Sequence, residues 1–220
     1  MQKKKFLVLF SLFIGPLLFY IFLTMGTWNS KTLPVLTKQV ENINTEESFE
    51  KHYSIVCFLG DDLSASKTAI SNLNEVIYKR FYKALDFQIV VILPNGMEAE
   101  IEALKKRLGT YTDASQWKFV FVSKEKLVTI FNSFDTPYML NDQYASNYTF
   151  IIDKELNLRG RTDDEDTKDG KLYGYDMTSV AVLRNKMRKD IEVIYYHLKE
   201  KLKKEEREKN RGKVERLKEK

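Results

Sequence analysis

Cysteine is almost absent: Cys57 is the only one in 220 residues. A lone thiol excludes an intramolecular disulfide, a dithiol redox pair within one chain, and zinc modules that need two or more thiolates. Glycine and proline are also sparse, at nine and four residues, whereas 43% of the chain is apolar and 13% aromatic. That composition is neither collagen-like nor disordered, and it supplies a sizeable core. There is no G-x-S-x-G, Walker, H-E-x-x-H or G-x-G-x-x-G segment, so hydrolase, nucleotide-binding and zincin chemistry have no sequence support. No internal repeat is visible, and the length fits one ordinary domain with accessory segments.

The formal net charge of +5 comes from the two ends. Lys3, Lys4 and Lys5 supply three positive charges, and residues 199–220 hold eleven Lys or Arg against six Glu. What remains carries 22 basic and 25 acidic residues, a net charge of −3. A mildly acidic globular part lacks the electrostatic footprint of a nucleic-acid-binding protein.

Residues 6–25, FLVLFSLFIGPLLFYIFLTM, contain no charged side chain. Rising about 1.5 Å per residue, a helix of this length crosses a hydrocarbon core about 30 Å thick. Gly15 and Pro16 would kink a soluble helix but are tolerated in a membrane span, and Tyr20 and Trp28 suit an aromatic belt. A cleaved signal peptide has a shorter apolar region of about 7–15 residues and a small-x-small exit. Gly26-Thr27-Trp28-Asn29 offers no such exit. The expectation is an uncleaved anchor over residues 1–28, contacting the lipid bilayer through residues 6–25. Because the three lysines precede the span, the positive-inside rule leaves residues 30–220 outside the cytoplasm.

Residues 29–51 are polar, contain Pro34 and read as a linker. Tyr53 to Leu59 is a short apolar run stopped by Gly60-Asp61-Asp62, as a strand buried on both faces would be. A helix capped by Ser64 or Ser66 follows, with Ile70, Leu73, Ile77 and Phe81 on one stripe. FQIVVIL, 87–93, is a second buried strand, and 97–108 a second helix closed by Gly109. WKFVFV, 117–122, gives a third strand; Ser123 caps a third helix that turns Leu127, Ile130, Phe131 and Phe134 inward. Residues 148–153 and 158–162 are joined by four residues, which demands an antiparallel hairpin. A last helix starts near Asp176 or Thr178, with Val180, Leu183, Met187, Ile191, Ile194, Leu198 and Leu202 at spacings of three and four. The order β-α-β-α-β-α-β-β-α predicts an α/β domain with a thioredoxin-like fold over 52–198, its parallel strands joined by right-handed crossovers. Residues 199–220 make a charged tail, either a solvated helix end or a disordered segment, with Gly212 favouring fraying.

Three segments, in this order, resemble the Sco/SenC family, the membrane-anchored thioredoxin-like copper proteins of cytochrome oxidase assembly. VVILPNGMEAEIEALKKRLG (90–109) is similar to the family's second strand, Pro-containing loop and helix ending in Gly. DASQWKFVFVSKEKLVTIF (113–131) is similar to its Trp-strand-helix unit. NYTFIIDKELNLRGR (147–161) looks like its late hairpin, with an Asp at the turn and an Arg-Gly in the return strand. The resemblance extends over about Tyr53 to Ile194 and includes the N-terminal anchor. It implies a single-pass protein of the bacterial inner (cytoplasmic) membrane whose C-terminal domain faces the periplasm.

The family's copper site consists of C-x-x-x-C just after the first strand and a His before the late hairpin; thiolates suit Cu(I) and imidazole accepts Cu(II). Here the loop reads Gly60-Asp61-Asp62-Leu63-Ser64-Ala65-Ser66, and Ala145 is the counterpart of the His, so all three ligands are missing. Cys57 lies before the loop, within the strand, and reads as a small buried hydrophobe rather than a reactive thiol. His52 is five residues from Cys57, an odd offset that puts the two on opposite faces of an extended chain. His197, beside Tyr195 and Tyr196, reads as a structural or surface residue. No metal and no cofactor is therefore expected, copper included.

Asp61, Asp62, Ser64 and Ser66 remain as the remnant of the active-site loop. Carboxylates at a helix start favour the helix dipole, so capping is the simpler reading of Asp61 and Asp62, and a hard-cation site is the alternative. The acidic run Asp163 to Gly170 invites calcium, but an EF-hand register from Asp164 would need Gly at 169 and Glu at 175, where Asp169 and Tyr175 stand. It reads as a solvated loop. Asn147-Tyr148-Thr149 fits the N-glycosylation triplet yet enters a buried strand. The expected function is that of a non-enzymatic accessory factor in membrane or respiratory complex assembly, with a membrane or periplasmic protein as partner. The alternative is a copper-handling or thiol-redox protein whose Cys57 works with a partner thiol. A peroxiredoxin-like enzyme would need its Cys at a helix N-terminus, and Cys57 is on the wrong side of Gly60.

Overall fold

Successive side chains of a strand point to opposite faces, and β2 (Tyr53–Leu59) uses both. Ile55, Cys57 and Leu59 enter one apolar cluster, Val56 and Phe58 another. The same division holds in β3 (Phe87–Pro94), every residue of which is buried. This two-sided burial is why both segments read as unbroken apolar runs. The computed structural model describes Phe10, Leu12 and residues 14–18, 32–43, 47–110 and 113–218, with side chains as far as Lys209. Phe10, Leu12 and residues 14–18 are helical. The rest of the expected anchor over 6–25 lies outside the described residues, and no described helix is long and apolar enough to cross a membrane.

Residues 33–220 form a compact unit. Its sheet runs β1 (Val35–Thr37), β6 (Leu158–Arg159), β5 (Ala145–Ile152), β2, β3, β4 (Trp117–Val122), with β7 (Tyr175–Asp176) beside β5. β2, β3 and β4 are parallel, and β5, β6 and β7 add antiparallel pairings. The helices are α1 (Leu63–Leu73, continued by the π turn Asn74–Tyr78 and Lys79–Phe81), α2 (Glu98–Leu108), α3 (Lys124–Ser133) and α4. α4 opens at Val180–Val182, passes the π turn Leu183–Met187 and continues as Arg188–Lys218. α1, α2 and α4 cover the Cys57 face, where the two π turns pack together. α3 covers the other face, where Phe58 meets Phe131, Phe134 and Phe150 edge-to-face at 5.1, 5.8 and 6.3 Å. Each such pair contributes about 0.5–1.5 kcal/mol beyond its buried area.

The structure departs from the sequence expectation in several places. The linker over 29–51 is not a tether beyond residue 32: it supplies β1 and buries Leu33, Val40, Ile43 and Phe49. These apolar residues follow no helical or strand period, because each fills a separate gap left by elements distant in sequence. The cap of α1 is Asp62, not Ser64 or Ser66. Asp176 belongs to β7, and the last helix starts at Val180 behind a Ser179 cap. Gly212 does not end that helix, which continues to Lys218.

The acidic run after β6 is tied down by cations rather than merely solvated. Lys186 Nζ reaches Asp164 Oδ1 at 2.7 Å and Asp166 Oδ2 at 2.7 Å, and Asp164 is buried. Beside it, Arg161 donates two hydrogen bonds to Asp190, at 2.7 and 2.9 Å, and the buried Tyr175 hydroxyl donates a third at 2.7 Å. These contacts satisfy charges that would otherwise be costly to bury.

Candidate functional site

Gly60 turns the chain out of β2 with φ +68, a conformation that favours glycine. A Cβ there would lie 2.1 Å from Gln143 O, so the backbone before β5 presses directly on the loop. Asp61 N–H donates to that same oxygen at 3.0 Å. Asn141 Oδ1 holds the opposing turn by accepting from Gln143 N and Ala145 N at 3.0 and 2.8 Å. Ala145 pairs with Leu59 across the sheet. The two places where the resemblance would put copper ligands are thus neighbours in space, and they carry the loop 60–66 and Ala145.

The first turn of α1 organises the loop carboxylates differently. Asp62 Oδ1 accepts from Ser64 N at 2.8 Å and from Ser64 Oγ at 2.5 Å, which holds its carboxyl below the usual range. Asp61 Oδ2 instead pairs with Lys124 Nζ at 3.0 Å, and this hydrogen bond raises the lysine's pKa. The same ammonium lies 4.6 Å from the Tyr144 ring centroid. Ser66 lies farther into the helix, half-buried, and does not cap it. Among the described residues, no group of three or more His, Cys, Asp or Glu is arranged to hold a metal ion.

Between the start of α1 and α2 lies an open cleft of about 570 Å³. Ile70, Met97 and Leu104 give it an apolar lining, with Asp61, Lys67 and Arg107 among its polar residues. It sits beyond the C-terminal ends of β2 and β3, where open parallel sheets generally gather binding sites. Met97, Leu104, Arg107 and Lys124 had no motif to mark them. Their signal was topological: each lies near the C-terminal end of a parallel strand or on the helix that follows it.

Cys57 is apart from this cleft. It is fully buried, and burial pushes its thiol up to about 12. His52 is partly exposed, with Nδ1 2.9 Å from Glu50 O, and is not a neighbour that would activate the thiol. His197 lies on α4, its Nε2 buried without a hydrogen-bond partner among the described residues.

Neither a family model nor a curated protein matches the chain. Solved structures do. BsSco, a member of the Sco family of cytochrome c oxidase assembly proteins in which a disulfide switch was identified, aligns with TM-score 0.50 and 11% identity over 74% of this chain and 96% of that one. The fold is thioredoxin-like. A candidate electron transfer protein from Aquifex aeolicus VF5 aligns with TM-score 0.49 and 15% identity, covering 74% of this chain and 94% of that one. Arabidopsis thaliana ScoI with copper bound gives TM-score 0.41 and 15% identity, covering 66% and 86%. Sco-family proteins are therefore among the structural neighbours of this thioredoxin-like domain, and at these identities the likeness is one of fold.

Proposed function

We propose that this chain is a membrane-anchored, extracytoplasmic Sco-like module that works by binding, without redox or copper chemistry of its own. The observation that carries this reading is the division between loop and thiol. The loop after β2 presents Asp61, Asp62, Ser64 and Ser66, Ala145 stands beside it, and the sole thiol is buried in the strand before it. Soft copper needs thiolate or imidazole ligands, and carboxylates and hydroxyls do not replace them. A thiol pushed up to about 12 is protonated at neutral pH and does not attack a partner's disulfide. The open cleft between α1 and α2 is the surface through which such a module engages its partner, a protein of the membrane or periplasm. Its place in the cell follows from the apolar run 6–25 and the three lysines before it. Its role, accessory to assembly of a membrane or respiratory complex, follows from the Sco resemblance.

The test is the Cu(I) stoichiometry of residues 33–220 against a competing chelator. Absence of tight binding is expected. One equivalent of tightly held copper would overturn the reading and require ligands other than the loop residues. A mixed disulfide of native Cys57 with a partner would overturn it in favour of thiol exchange.

A further inference from the structure

A second groove lies at the opposite end of the domain from the cleft. α1 runs antiparallel to the strands, so its C-terminal end, with Arg80 and Phe81, lies near the start of β3, where Leu85 precedes Phe87. α4 closes this groove, of about 620 Å³, with Tyr195, Tyr196, Lys199 and Leu202. Its floor is built: Phe81 stacks on Tyr195 at 6.1 Å, and the Tyr195 hydroxyl donates to Leu85 O at 3.2 Å. Among the described residues of the folded unit five large apolar side chains are exposed, and three of them, Leu85 (53%), Tyr196 (42%) and Leu202 (43%), surround this groove.

The charge around these apolar groups is net basic. Lys83 and Lys199 flank them, Arg80 is paired with Glu192, and the helix continues through Lys201, Lys203, Lys204, Arg207 and Lys209, interleaved with Glu200, Glu205, Glu206 and Glu208, of which Glu200 pairs with Lys203. Residues 199–220 carry a net +5. Exposed aliphatic and tyrosine side chains within a basic field are what an anionic membrane interface binds: the apolar groups enter the headgroup region and the cations meet phosphates. Chain length gives a second argument. Only seven residues, 26–32, separate the apolar run from Leu33. At about 3.6 Å per residue, a span over 6–25 would tether Leu33 within roughly 30 Å of the bilayer.

We infer that the groove lined by Phe81, Lys83, Leu85, Tyr196, Lys199 and Leu202 is a docking surface for anionic phospholipid at the membrane to which the chain is anchored. With this end on the bilayer, the Asp61–Arg107 cleft opens away from it, toward a partner's extramembrane part. The orientation and the tether argument rest on the anchored reading given above; the charge and the apolar exposure of the groove do not.

The experiment is co-sedimentation of residues 33–220, which hold the whole described core, with phosphatidylcholine vesicles with and without phosphatidylglycerol. Binding is expected only with phosphatidylglycerol, weakened roughly tenfold by Leu85→Asp, by Lys83→Glu, and by about 0.5 M salt. Both side chains are exposed, and far-UV circular dichroism checks that each variant folds. Failure to bind anionic vesicles overturns the inference. So does binding that survives both substitutions, which would assign the contact to the basic tail alone. Concentration-dependent self-association without lipid, removed by Leu85→Asp, would give the groove to a second copy and also overturn it. Because this fragment lacks residues 6–25, its result is independent of the anchor, which carbonate extraction of the full chain tests separately.

Discussion

Cys57 Sγ lies 3.8 Å from the carbonyl oxygen of Val90, to which it donates a weak hydrogen bond between two parallel strands, β3 buried throughout and β2 buried beyond Tyr53. The contact places the only thiol within the strand, outside the loop that follows it. The strand ends at Leu59, the loop begins at Gly60, and the sulfur is three residues upstream, in the apolar layer beneath α1 and α4.

From this burial follows inertness. With burial pushing the thiol up to about 12, the thiolate is scarce at pH 7. Native protein is expected to resist iodoacetamide for hours at neutral pH, and urea-unfolded protein to be modified within minutes. Mass spectrometry of both samples checks it; rapid modification of the native protein would refute the buried assignment.

Stability should fall in alkali. The Cys57 pKa is raised from 9.0 to about 12 in the folded protein, so the native state binds that proton more tightly than the unfolded chain. The linked stabilisation is complete below pH 9 and is lost as pH rises toward 12. Tyr78 and Tyr138, each raised from 10.0 to about 12 chiefly by burial, act in the same direction above pH 10. Urea unfolding at pH 8 and pH 10.5 should show the decline, and Cys57→Ala should make it shallower.

Gly60→Ala is expected to cost at least ~2 kcal/mol, because it adds a left-handed alanine to a 2.1 Å clash with a carbonyl oxygen. Gly96→Ala is the control for the backbone component, since its φ is +97 but no atom lies within 4 Å of the added carbon. A smaller loss in urea midpoint for Gly96→Ala than for Gly60→Ala would isolate the clash with Gln143.

Asp190→Ala removes the acceptor of Arg161 and of the Tyr175 hydroxyl together. Leaving that guanidinium and phenol without their acceptor should cost about 2–4 kcal/mol, whereas Tyr175→Phe, which deletes one donor, should cost about 1 kcal/mol. Chemical denaturation with an unchanged slope measures both. Equal losses would mean that the tyrosine bond, not the ion pair, secures the last helix.

The element order was legible in the sequence because it is written in local patterns. Two-sided apolar runs gave β2 and β3, and three- and four-residue spacings gave the inward stripes of α1, α3 and the middle of α4, whose expected stripe ends, Val180 and Leu202, are exposed instead. The four-residue connection 154–157 demanded the antiparallel return from β5 to β6. The position inside an apolar run before Gly60 already marked Cys57 as a core residue. What had no local pattern was decided only by tertiary structure. Leu33, Val40, Ile43 and Phe49 are buried without any period, because elements far away in the chain leave gaps of their shape. Asp61 meets Lys124 across 63 residues because the parallel strands β2 and β4 end at the same edge of the sheet, and Gly60 meets Gln143 across 83 because the antiparallel β5 starts where β2 ends. Periodicity therefore determined which elements form, and strand order determined which residues share a site.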